Sequence, residues 1–148
     1  MKKFTRQKSG NAPIADINLD FGAAAAKVAR VFEPGEYKLR IESARVIPSG
    51  QNILVALDLV MAEGGDRVAS RPLWVDGPNA GIGPFAAENL NLVAQLLALA
   101  AQPTTGNPNV LIPKLTGLEF DARLGLAFDN RSGRTYNTLA AIYRDGAP

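Results

Sequence analysis

Cysteine and histidine are both absent from this 148-residue chain. These residues supply most thiol nucleophiles, near-neutral general bases and transition-metal ligands, so disulfide scaffolds, zinc sites and Ser-His-Asp or Cys-His catalytic arrangements are excluded. Long apolar runs are missing too. No stretch approaches the roughly 18 residues of a membrane-spanning helix, and the basic, polar start from Met1 to Ser9 leads into no apolar core of a secretory signal. The expectation is a cytoplasmic, non-enzymatic protein with no cofactor and no metal, and the lack of cysteine fits a reducing compartment.

Charge of either sign is in little excess: 16 basic residues against 14 acidic ones, a net +2. Lys2, Lys3, Arg6 and Lys8 account for four of the 16, leaving 12 against 14 acids, so the chain beyond residue 10 sits near −2. A polyanionic partner would therefore meet local basic strips and a basic N-terminal arm, not a uniformly attractive field.

The length fits one domain able to bury its own core. Residues 1–13 read as a flexible basic arm, too poor in apolar side chains to order itself, and residues 14–148 as a single domain. From Ile14 to Phe32 the pattern is ambiguous: Ile17, Leu19 and Phe21 alternate as in an edge strand, whereas Ala23 to Ala29 favours helix. Glu33-Pro34-Gly35-Glu36 signals a turn. Tyr37, Leu39 and Ile41 then alternate with Lys38, Arg40 and Glu42 as a half-buried strand that runs to about Ile47. A long loop, Pro48 to Asn52, leads to a second strand, Ile53 to Met61, with Val55, Leu57 and Leu59 on one face. The third strand spans Arg67 to Val75 and is weakened by Pro72.

One convincing helix covers Pro84 to Ala101, with Leu92, Val93, Leu96 and Leu97 at helical spacing. Pro103 to Pro113 reads as a loop. Leu118 to Phe128 alternates strictly, with Phe120 and Phe128 expected in the core, and after the turn Asp129 to Arg134 a last strand runs from Thr135 to about Tyr143. The order β-β-β-α-β-β matches the five-stranded oligonucleotide-binding (OB) barrel, so the expected fold class is mainly β with one helix, an OB-like antiparallel barrel.

The chain also resembles a family of phage-encoded proteins associated with single-stranded DNA binding. The likeness lies in Leu19-Asp20-Phe21, in Pro34-Gly35-Glu36-Tyr37, in the apolar helix Asn91 to Leu97, and in Leu115 to Ala122 followed by Gly133 to Asn137. It covers most of the chain beyond residue 14. The resemblance implies a barrel that coats single strands in phage replication or recombination, non-enzymatically and usually as an oligomer, alongside phage or host replication proteins. Replicative binding proteins often recruit partners through an acidic tail. This sequence reads Arg144-Asp145-Gly146-Ala147-Pro148 there, so recruitment by that route is not expected.

Sequence-tolerant binding of a single strand needs cations for phosphates and flat side chains for bases. The candidates are Lys38 and Arg40 on the wet face of the first strand, Arg67 and Arg71 on the third, Trp74, the cluster Arg131, Arg134, Tyr136 and Asn137, and Lys2, Lys3, Arg6 and Lys8 of the arm. For Trp74, packing in the core or at a subunit interface stands level with stacking. The Arg-rich turn reads equally as a solubilising hairpin. Tyr136 and Tyr143 fall on opposite faces of a regular strand, leaving at least one outside.

Other functions find less support. Asp58, Asp66, Asp76 and Glu88 would have to gather to hold a nuclease's magnesium, and a turn, an exposed strand face or a helix start explains each of them. Asn79 to Pro84 lacks the Lys and the Gly spacing of a phosphate-cradling loop. The helix has no Arg or Lys with which to read a major groove. The rival class is a structural or interaction module, such as a virion component assembling through sheet edges, with no affinity for nucleic acid.

Overall fold

The computed structural model describes residues 28–77 and 85–143. Five strands build one antiparallel sheet: β1 (Gly35–Ser49), β2 (Asn52–Met61), β3 (Leu73–Asp76), β4 (Glu119–Asp129) and β5 (Arg134–Tyr143). Their order is β3-β2-β1-β4-β5, so β3 and β5 are its edges and the ladder does not close on itself. Between β3 and β4 come α1 (Phe85–Leu99), the one-turn helix α2 (Pro108–Leu111) and a 3-10 turn at Ile112–Leu115. The mainly β class and the order of the strands follow the sequence reading, but α2 and the 3-10 turn stand beside the one helix expected.

Local chemistry decides where the alternation holds and where it breaks. Leu39 and Ile41 of β1 are fully buried. A bulge between Ile41 and Ser43 then resets the period, so Ala44 takes the next inward place while Ser43 and Arg45 turn outward. The loop between β1 and β2 is tighter than expected: Ser49 pairs with Asn52, which leaves Gly50, at φ 62°, and Gln51 as a two-residue turn. β3 is only four residues long. Pro72 has no N–H for the ladder, and upstream of it Arg67 and Val68 make isolated bridges to Val60 and Arg30.

The core fills the space between the inner sheet face and the helices, with Leu39, Leu57, Phe120 and Leu124 meeting Leu96 and Leu115. The segment expected to be a loop, Pro103 to Pro113, contributes to it. Asn107 caps α2 by accepting the Asn109 N–H at 3.0 Å, and Pro108 sits in the first turn, where its missing N–H does no harm. This short helix and the turn after it bury Leu111, Ile112 and Leu115.

Two expectations for the last hairpin are corrected. Ala140 is skipped in the pairing, because Arg123 faces Ala141 while Leu124 faces Leu139. That bulge puts Tyr136, opposite Ala127, and Tyr143, opposite Asp121, on the same face. Phe120 is core at 4% exposure, but Phe128 is 60% exposed and Leu126 47%. The cause is length: β1 pairs with β4 only as far as Leu124, and beyond it no third strand among the described residues pairs with the β4 side of the β4–β5 hairpin.

Candidate nucleic-acid interface

The connection from β2 to β3, residues 67–72, comes close to the outer edge of β5, where the Asn137 backbone N–H donates to the Ala69 carbonyl at 2.7 Å. A groove runs along this meeting line. One stretch, of about 640 Å³, is lined by Arg45, Asp58, Arg67, Arg71, Arg134 and Tyr136. The next, of about 570 Å³, is lined by Leu57, Leu73, Trp74, Leu92, Leu139 and again Tyr136. Ser70, Arg71, Pro72 and Tyr136 line both, so the cationic and the apolar stretches are continuous. Each is of the size of an ordinary ligand site.

Most of the arginines here are held by acids. Arg45 lies 3.0 Å from Asp58 and Arg67 2.6 Å from Glu42, while Arg71 pairs with Asp129. Exposed pairs of this kind contribute about 0–1 kcal/mol each, so a phosphate can replace a carboxylate at little cost to the fold. None of the ion pairs among the described residues uses Lys38, Arg131 or Arg134. Four arginines line the first stretch with a single acid, Asp58. The Ser43 hydroxyl donates to that carboxylate and, with Arg45 and Arg67 beside it, outweighs partial burial and holds its pKa below the ordinary carboxylate value. Asp129 is held low by the Arg131 N–H first, then by Arg71 and Ser132.

Arg67 and Arg71, named on the third strand, and Arg134 and Tyr136, named in the last hairpin, line the same stretch, with the Arg71 guanidinium 5.2 Å from the Tyr136 ring centroid. Trp74 lines the apolar stretch, half-buried, and its carbonyl accepts from Asn89 at 2.9 Å. Arg131 is exposed in the turn at the groove's end. Lys38 and Arg40 stand elsewhere on the outer face of β1. Arg40 reaches Glu119 at 3.9 Å, and neither lines the groove. Asn137 does not join the surface: it is 1% exposed, and its amide bonds Phe32 and Gly125. Lys2, Lys3, Arg6 and Lys8 lie outside the described residues, as do Leu19-Asp20-Phe21 and the stretch Asn79 to Pro84.

Sequence reasoning missed Arg45, because the bulge that turns it outward has no signature of its own, and Asp129, which looked like a plain turn residue. Among the described residues no three acids gather where they would hold a metal ion, and no helix is long and apolar enough to cross a membrane. No protein-family model matches the chain, and no curated protein matches it.

Proposed function

We propose that this protein binds single-stranded DNA without catalysing a reaction and with little regard to sequence. It would coat strands in phage-type replication or recombination, as a homo-oligomer in the cytoplasm of the host cell. The observation that carries this reading is the continuous groove, with arginines along one stretch and Trp74 and Tyr136 along the next. A single strand uses both, phosphates on the first and bases on the second. Duplex DNA keeps its bases stacked inside and would leave the aromatic stretch empty.

An OB-type barrel is part of the proposal. The order β3-β2-β1-β4-β5, the helix between β3 and β4, and the hydrogen bond from Asn137 to Ala69 across the open side all support it. The oligomer follows from charge: near-neutral copies attract a polyanion weakly one at a time, and several sites on one strand multiply that attraction.

The test is fluorescence anisotropy of a labelled oligo-dT and of a matched duplex at two salt concentrations, with Trp74 emission followed alongside. Tighter binding to the single strand, weakening with salt, is the expected result. No binding at low salt would overturn the proposal.

A second reading, an interaction module with no nucleic-acid partner, is favoured by the exposed Leu126 and Phe128 of the last hairpin. It expects no salt-dependent affinity for oligonucleotides, so the same titration separates the two.

A further inference from the structure

Asp129 ends β4 and its carboxylate is held from three sides. One oxygen accepts the Arg131 N–H at 2.9 Å, and the other accepts the Ser132 hydroxyl at 3.1 Å together with the Arg71 guanidinium. The same guanidinium lies over the Tyr136 ring, 5.2 Å from its centroid. Arg71 and Tyr136 are among the residues that line both the cationic and the apolar stretches of the groove. A guanidinium, a backbone N–H and a hydroxyl are also the donors that hold phosphates. Here a resident anion occupies them, and the Arg71 side chain keeps 48% of its surface in water, where a phosphate can reach it.

We propose that Asp129 is a built-in anionic competitor: it ties Arg71 down over Tyr136 in the free protein, and a DNA phosphate takes the guanidinium over on binding and uncovers the ring for a base. This rests on the single-stranded-DNA reading of the groove. The Arg131 N–H keeps Asp129 ionised far below neutral pH, with Arg71 and Ser132 helping, so the competitor is always charged in the cell. Its carboxylate keeps the Arg131 and Ser132 bonds when Arg71 leaves, so the turn survives the exchange. The consequence is restraint: each copy binds less tightly than its arginines would allow, and an isolated phosphate gains little.

Labelled oligo-dT anisotropy over a salt series, on the full chain, tests this with Asp129→Asn, Glu63→Gln, Arg71→Gln and the double variant Asp129→Asn/Arg71→Gln. Asn keeps the side-chain oxygen that closes the turn on the Arg131 N–H. Glu63 is exposed in the turn after β2 and lines neither stretch of the groove, so its substitution matches the change in net charge alone.

Asp129→Asn is expected to bind about fivefold tighter at low salt, the scale of one unit charge a few ångströms away in water. Its salt dependence should stay close to the wild type's, since in both proteins one phosphate ends on Arg71. Glu63→Gln should change affinity less than twofold, and adding Arg71→Gln to Asp129→Asn should remove the gain. Unchanged or weaker binding by a folded Asp129→Asn protein overturns the inference, and so does an equal gain from Glu63→Gln.

If Asp129→Asn does not fold, the wild-type protein answers instead through the carboxyl carbon of Asp129 in NMR. Its pKa must rise when oligo-dT is added, and a constant value with DNA bound overturns the inference. Wild-type protein that binds no oligo-dT defeats the DNA reading itself, and this inference with it.

Discussion

The Asn137 backbone N–H meets the Ala69 carbonyl at 2.7 Å, and from the same residue a side-chain amide reaches three more backbone groups. It accepts the Phe32 N–H at 2.8 Å and donates to the carbonyls of Phe32 and Gly125 at 2.9 and 3.0 Å. One buried side chain thus clasps β5, β4 and the segment leading into β1, beside the point where β5 meets the connection into β3. Asn137→Ala strands those groups, and at roughly 1–3 kcal/mol for a buried group left unsatisfied the expected loss is about 2–4 kcal/mol. Asn137→Asp should cost more, since a carboxylate turns acceptors toward two carbonyls. Urea unfolding measures both, and a midpoint unchanged in Asn137→Ala would mean the amide is no clasp.

Phe120 and Phe128 share one parity of β4 and only Phe120 is covered. Phe120→Ala should therefore cost about 3–5 kcal/mol, while Phe128→Ser should leave stability within about 0.5 kcal/mol of wild type. Thermal unfolding at low protein concentration compares them. A large loss from Phe128→Ser would show that something in solution covers this residue, and a change of sedimentation with concentration would identify it as a second copy.

That contrast also marks how far the sequence could be read. Strand alternation, the apolar helix and the start of β1 after Pro34 were legible because each follows from a local period or a local backbone preference. What failed was set by neighbours. Bulges at Glu42 and Ala140 depend on pairing partners, and they moved Arg45 outward and brought Tyr136 and Tyr143 to one face. Phe128 looks like Phe120 until one knows that β1 stops pairing at Leu124. Asn137 looked like a surface amide because its partners, Phe32 and Gly125, lie 105 and 12 residues away. The cap at Asn107 with Pro108 carries a local signature of a helix start, masked by a segment rich in Thr, Gly and Pro.

Helix α1 ends with Ala101 at φ 57°, a left-handed conformation that suits glycine. The Gln102 N–H returns to the Leu97 carbonyl at 2.8 Å and the Ala101 N–H to Ala98 at 3.1 Å, the paired bonds that force that conformation. Ala101→Gly should stabilise the protein by about 1 kcal/mol by relieving the Cβ clash. A raised midpoint in thermal or urea unfolding is the expected outcome, and a lowered one would mean the helix does not end this way.

Asp58 and Asp129 both titrate below the ordinary value of 3.8 when folded. Between their folded pKa and 3.8 the unfolded chain binds more protons than the folded one, so acid favours unfolding there. The stabilisation from both groups is complete above about pH 5 and is lost as pH falls through their folded values. Stability should accordingly be flat from neutral pH to about 5 as far as these two groups are concerned, then decline. Ser43→Ala removes the largest cause of the Asp58 shift, so the Asp58 carboxyl resonance should titrate closer to 3.8 in that variant. An unmoved titration would mean that Arg45 and Arg67 hold it down without the hydroxyl.

Tyr136 and Arg134 stand two residues apart on β5 and line the same stretch of the groove, yet they should fail in different ways when removed. The ring offers a base a surface to stack on, an interaction indifferent to salt and worth about 1–3 kcal/mol per base. Arg134, with no acid partner among the described ion pairs, offers a phosphate its charge. Tyr136→Ala should weaken oligo-dT binding by about tenfold with the slope of log affinity against log salt unchanged. Arg134→Gln should weaken it mainly at low salt and make that slope shallower by about 0.7. If both variants lose affinity with identical slopes, the two residues do not divide the strand between base and phosphate, and the groove does not hold it in the way proposed.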